Sequence, residues 1–262
     1  RYFPLFFMIE QILKPYISER FLSDERYRGG HLRVVNALPN RRVLGLHIPD
    51  MKTVASRLMK EESGAVIDKF ERLETAVLSH EEIMVWGFMI NLEKCSTEKR
   101  FERLAKFVPV MDNWAVCDSF CANAKWATKL DKCTLWTYLQ GWFSSSREFE
   151  VRFALVMSMT YLMSAEWIDK VFDRIARLDY TFITSEYVFQ KGKPIQPQMG
   201  VVAGQSPYYV RMAVAWLLAT ALYRFPEQTR RFLSMTPLPE DVLKMYVRKV
   251  KDSFRTRSMS PF

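Results

Sequence analysis

The sequence predicts an all-α chain, a superhelix of stacked antiparallel helix pairs. Three observations lead there. Glycine is scarce, 9 in 262 residues, while hydrophobic residues make up 49%, so the chain can fill a core and holds few helix breakers. Apolar residues recur at i, i+3, i+4 and i+7 in segment after segment. Strand-like alternation is confined to one stretch, residues 180–206.

Residues 49–60, PDMKTVASRLMK, open with Pro49 at a first-turn position and carry Met51, Val54, Ala55, Leu58 and Met59 at helical spacing. Segments 65–78 and 80–92 repeat the pattern, the second as HEEIMVWGFMINL. Segment 97–108 follows with Phe101, Leu104, Ala105 and Val108. Further helices are predicted at 112–123, 131–143, 146–163, 165–178, 207–224, 226–235 and 239–254. Ser145, three residues before Glu148, predicts a capping box. Ser164 and Pro226 are further helix openers. Helix pairs repeating every ~35–45 residues predict a HEAT-like or ARM-type solenoid, with a non-repeating helical bundle as the alternative. A single domain over residues 1–262 is expected.

The exception, YTFITSEYVFQKGKPIQPQMGVVAGQS at 180–206, reads as an insert. TFITSEYVF is β-prone, and MGVVAG could pair with it around KGKPIQPQ, with Lys191 and Lys193 near the tip. A hairpin or extended loop at the rim of a ligand cleft is expected, against the alternative of a neutral surface insertion.

The 38 Lys and Arg outnumber the 29 Asp and Glu, a formal charge of +9. That balance points to a polyanion, most often nucleic acid; the alternative is a merely basic surface. Cys95, Cys117, Cys121 and Cys133 form no CxxC pair, and only His31, His47 and His80 could add ligands, so neither a zinc site nor any other metal is expected. Four cysteines in so long a chain do not make a disulfide scaffold and fit a reducing cytosol. YFPLFFMI is too short to span a membrane and lacks the flanks of a signal peptide. The expected setting is therefore cytoplasmic, with no membrane partner and no cofactor. The chain begins with Arg1 rather than Met, so N-terminal residues are expected to be missing.

Chemistry is sought in MDNWAVCDSFC, residues 111–121. Trp114 and Asp118 lie i, i+4 and so share a helical face. A carboxylate beside an indole is a poor choice for a core and a reasonable one for a site that receives a cation. Arg152 stands in the otherwise apolar SSSREFEVRFALVM, and Trp216 in YYVRMAVAWLLAT. Each also has an ordinary account. Trp216 would be core, and Arg152 the buried ion partner of Asp118. Cys117 and Cys121 are read as small core hydrophobes. His80-Glu81-Glu82 could be an acid/base or metal cluster, but glutamates at a helix start also favour the dipole.

DNWAVCDSF, SSSREFEVRFALVM, YYVRMAVAWLL and KVKDSFR, with LGLHIPDMKTVA and SHEEIMVWGF before them, resemble the DNA alkylation repair family of HEAT-like glycosylases over about residues 43 to 255. The resemblance implies a helical solenoid that cradles duplex DNA in a basic concave face and releases cationic alkylated purines such as 3-methyladenine and 7-methylguanine. It implies Asp118, Trp114 and Trp216 as catalytic residues and Arg152 as a phosphate ligand. Arg147, Arg211, Lys249, Arg255, Lys191 and Lys193 are expected to join Arg152 at alkylated or branched double-stranded DNA, and the protein to act as a monomer associated with a nucleoid. Some relatives carry a hairpin at the position of the insert and bind branched DNA without excising bases. A non-catalytic DNA binder therefore stays open, as does a HEAT-type protein scaffold.

Overall fold

The computed structural model describes residues 5–190, 193–195 and 207–262. Helix dominates. In chain order the α-helices among the described residues are α1 (Leu5–Leu13), α2 (Glu19–Ser23), α3 (Glu25–Val35), α4 (Ile48–Glu62), α5 (Gly64–Phe70), α6 (His80–Leu92), α7 (Thr97–Phe107), α8 (Trp114–Asn123), α9 (Lys132–Phe143), α10 (Glu148–Tyr161), α11 (Ile168–Ala176), α12 (Tyr208–Arg224), α13 (Pro226–Met235) and α14 (Glu240–Asp252). The chain divides into two compact units, one running to Trp126 and one starting at Ala127.

In the first unit α6 packs between α4 and α8. Almost all of α6 is buried, from His80 through Ile90, as an all-round apolar helix must be. Its Gly87 faces the ring of Phe107, the last residue of α7. A Cβ there would lie 2.7 Å from the Phe107 ring, so only glycine lets the ring in. Trp86 and Phe120 pack on Phe107, each with ring centroids 5.1 Å from it. This aromatic cluster is the centre of the unit's core. In the second unit the same alternation recurs. α10 packs on α9 and α12, and α12 on α14 and α13. Alternate helices stacked on one another give the solenoid-like, all-α architecture that the periodicity predicted.

The predicted helices at 80–92 and 226–235 match α6 and α13, and most others differ by one to three residues at an end. Three further helices, α1 to α3, precede the first predicted one. The segment 65–78 is not one helix. α5 stops at Phe70, where the backbone tightens into i→i−3 bonds from the Arg72 and Leu73 amides to the Lys69 and Phe70 carbonyls, and the Glu71 side chain pairs with Arg103 at 3.0 Å and Lys106 at 2.6 Å. Helix α11 begins at Ile168 rather than at 165, with Ser164 offering its carbonyl to the first amides.

The capping box predicted at Ser145 and Glu148 does not form. Ser145 Oγ donates to Glu150 at 2.6 Å, and Glu148 is buried and turned to other partners. A complete capping box stands at Ser79–Glu82 instead. In the predicted insert, β1 (Val188–Gln190) pairs antiparallel with β2 (Lys193–Ile195). The hairpin is tighter than expected. MGVVAG, the expected partner of the first arm, lies outside the described residues.

Candidate functional site

Trp114 is the first residue of α8, and Asp118 lies one turn further on the same face. Both are half-buried, while their neighbours Val116, Cys117, Phe120 and Cys121 are buried. The face carrying the pair is thus not the core face. The indole is held by its polar edge, as Nε1 donates to the Val34 carbonyl at the end of α3 at 2.8 Å.

The start of α8 rests on a buried polar network. Asn113 Oδ1 accepts from the Val116 amide at 3.1 Å, an N-cap. Its Nδ2 donates to Asp112 Oδ1 at 2.9 Å and lies 3.2 Å from His80 Nδ1. Burial, reinforced by the positive charges of His31 and Arg41, pushes His80 down to about 3. The neutral ring can therefore accept at Nδ1 near neutral pH. Asp112 in turn pairs with Arg41 at 2.7 Å. Arg41 also donates to the Thr75 and Leu78 carbonyls at 2.7 and 2.6 Å.

The other members of the HEE triplet have structural partners too. Glu81 accepts from the Leu44 and Gly45 amides, both at 2.8 Å, and Glu82 caps α6. No group of His, Cys, Asp and Glu among the described residues could hold a metal ion.

In the second unit Trp216 is half-buried between fully buried neighbours on α12, so it is not the core residue its apolar surroundings suggest. It lines an open groove of about 690 Å³ with Thr220, Tyr223, Lys249, Phe254 and Arg255. Residues 216, 219, 220 and 223 form one wall because they share a helical face. The end of α14 and the turn after it form the other. The structure thus brings three predicted residues together, Trp216, Lys249 and Arg255. Arg224 adds a further cation to the groove, and its one carboxylate, Asp252, lies 3.6 Å from Arg248.

The remaining predicted arginines are engaged elsewhere. Arg152 is only 4% exposed, and its Nη1 donates to the Tyr209 carbonyl at 2.6 Å. With so little of the side chain in solvent, a phosphate contact would require the surroundings of Arg152 to open. Glu148, one turn earlier on α10, accepts from the amide of the same Tyr209 at 2.6 Å and from Ser185 Oγ at 2.5 Å. Burial outweighs these bonds and the nearby charge of Arg152, and the carboxyl is pushed up to about 7. Arg147 pairs with Glu150 at 3.0 Å and keeps half its side chain in solvent. Arg211 pairs with Asp241 at 2.7 Å, with its guanidinium 4.8 Å from the Tyr180 ring centre. Lys191 lies outside the described residues, and Lys193 is described only as part of β2.

The sequence reading gave no role to Asn113, Arg224, Tyr223 or Phe254, and it offered His80 as a metal or acid/base group rather than as the ring beside Asn113. Asn113 left a signal, an Asn near a helix start. Among the described residues no helix is long and apolar enough to cross a membrane.

Searches of curated proteins and of solved structures gave no significant match. A family model described as DNA alkylation repair enzyme matches residues 31–240. That span takes in α8, α10, α12 and the hairpin, and with them most of the residues singled out above. The chain belongs to the DNA alkylation repair enzyme family.

Proposed function

We propose that the protein is a DNA glycosylase that releases cationic alkylated purines from duplex DNA. Membership of the family supports a role in DNA alkylation repair. The observation that carries the finer reading is the Trp114–Asp118 face, an indole and a carboxylate half-exposed together one turn apart, on the side of the helix away from the buried Val116, Cys117, Phe120 and Cys121. N-alkylation places a positive charge on the purine and makes it a good leaving group. Heterolysis of the N-glycosidic bond then builds positive charge on the sugar. A fixed carboxylate stabilises that charge and can orient the attacking water. Asp118 takes this part. The faces of Trp114 and Trp216 attract cationic groups and exclude water, and Lys249 and Arg255 hold phosphates. The test is incubation with a duplex containing 7-methylguanine, read as free base released.

A second reading, a non-catalytic binder of branched DNA, is favoured by one observation. Arg152, expected at a phosphate, is committed to Tyr209. It predicts no base release, with tighter binding to a four-way junction than to a plain duplex.

A further inference from the structure

The groove beside Trp216 holds more aromatic surface than a duplex backbone needs. Tyr223 is 50% exposed and Phe254 is 81% exposed. A lone exposed aromatic needs no explanation. These two, however, share one groove with Trp216 and with Lys249, Arg224 and Arg255.

Phe254 is not on a loose tail. The turn that carries it is pinned by Thr256, itself 2% exposed, whose Oγ1 donates to the Val250 carbonyl at 2.8 Å. The Thr256 and Arg257 amides both donate to the Ser253 carbonyl, at 3.1 and 2.9 Å. The turn therefore fixes an apolar ring in solvent. Two rings already carry a cation. The Arg257 guanidinium lies 4.7 Å from the Phe254 centroid, and that of Arg255 5.6 Å from the Tyr223 centroid. A guanidinium on one face of a ring leaves the other face for a flat partner.

Resting on the DNA reading above, we infer that this groove binds unpaired deoxynucleotides, stacking their bases on Phe254 and Tyr223 while Lys249, Arg224 and Arg255 hold the phosphates. In a paired helix the base faces are stacked on one another and only edges and backbone are on offer. Exposed rings interleaved with cations instead match the stacking platform and positive track of single-strand binders. A groove of about 690 Å³ also falls in the ~300–1,000 Å³ range of small-molecule sites, and so has room for a base.

The probe is a fluorescently labelled oligothymidine of about 12 nucleotides, compared by anisotropy with a duplex of the same length at physiological ionic strength. The wild-type chain is expected to bind the single strand. Phe254→Ala and Tyr223→Ala should each weaken that binding roughly tenfold and leave duplex binding within about twofold. Phe254→Leu keeps apolar bulk without a π face and should behave like the alanine variant. Melting curves establish that each variant is folded, as is expected for residues so exposed.

Failure of the wild type to bind the strand overturns the inference. So does an equal loss on strand and duplex, which would mean general electrostatics, and so does full strand affinity in Phe254→Leu. Base release from an alkylated duplex is measured separately. Its absence, with strand binding as expected, would remove the glycosylase reading and leave the groove's ligand as inferred.

Discussion

Replacing Glu148 by glutamine should remove a pH dependence from the stability of the second unit. The carboxyl accepts from the Tyr209 amide and the Ser185 hydroxyl and is 4% exposed. Glutamine retains an acceptor for one partner and presents to the other an amide that the Ser185 hydroxyl can accept, without an ionisable group. In the folded chain the carboxyl is pushed up from 4.5 to about 7, burial being the main cause. A raised acid favours the fold while protonated. Its contribution is complete below pH 4.5 and is lost as pH rises through about 7. At about 1.4 kcal/mol per pH unit the gap amounts to on the order of 3 kcal/mol, or a shift in Tm of about 6–12 °C for a chain of this size. The assay is thermal melting of wild type and Glu148→Gln at a series of pH values from below 4.5 to above 7. The wild type should lose Tm relative to the variant across that window. A constant difference at all pH values would show that the carboxyl does not titrate there and would refute the reasoning.

Asp118→Asn is expected to abolish release of 7-methylguanine while leaving duplex affinity nearly intact, because it keeps shape and removes the charge needed in the transition state; unchanged release in a single-turnover assay would take Asp118 out of the mechanism. Arg152→Ala should cost about 1–3 kcal/mol by stripping the Tyr209 carbonyl of a buried charged donor, and should leave the salt dependence of DNA binding unaltered; a slope flattened by about one unit would instead mark a phosphate ligand. Gly87→Ala should destabilise by about 1–3 kcal/mol, since the added Cβ meets Phe107 at 2.7 Å; an unchanged denaturation midpoint would mean that α7 yields freely.

How much of this was legible in the sequence depended on range. Local signals read well. Pro226 does open α13, whereas the caps at Asp131, Ser96 and Asn113 were not picked out although each residue type favours that position. The Ser145–Glu148 pattern misled because a residue 61 positions away, Tyr209, claims the glutamate. Spacing along the chain carries no record of such a claim. Arg152 shows the same blindness, as its partner is 57 positions distant. The face shared by Trp114 and Asp118 followed from helical geometry, whereas the anchoring of Trp114 on Val34, 80 residues earlier, did not. The groove was half-visible. The resemblance pointed to Trp216, Lys249 and Arg255, but Tyr223 lies outside the quoted segments and Phe254, though within KVKDSFR, drew no role there, and only folding brings α12 and the turn after α14 to one place.

The grip on Tyr209 bears on how this chain can change over evolutionary time. Glu148 and Arg152, one turn apart on α10, take the amide and the carbonyl of a single residue, and Glu148 also takes Ser185. The Thr184 backbone is stitched to Ser146 and Glu148 as well. The chain thus leaves at Ser185 and returns at Tyr209 to the same few side chains, as a lead returns to its socket. Lengthening the segment between those points leaves the α10–α12 packing in register. By loop-closure entropy, each doubling of its length costs only ~0.6 kcal/mol. Changes of length between those two anchor points therefore need not disturb the helices that hold them.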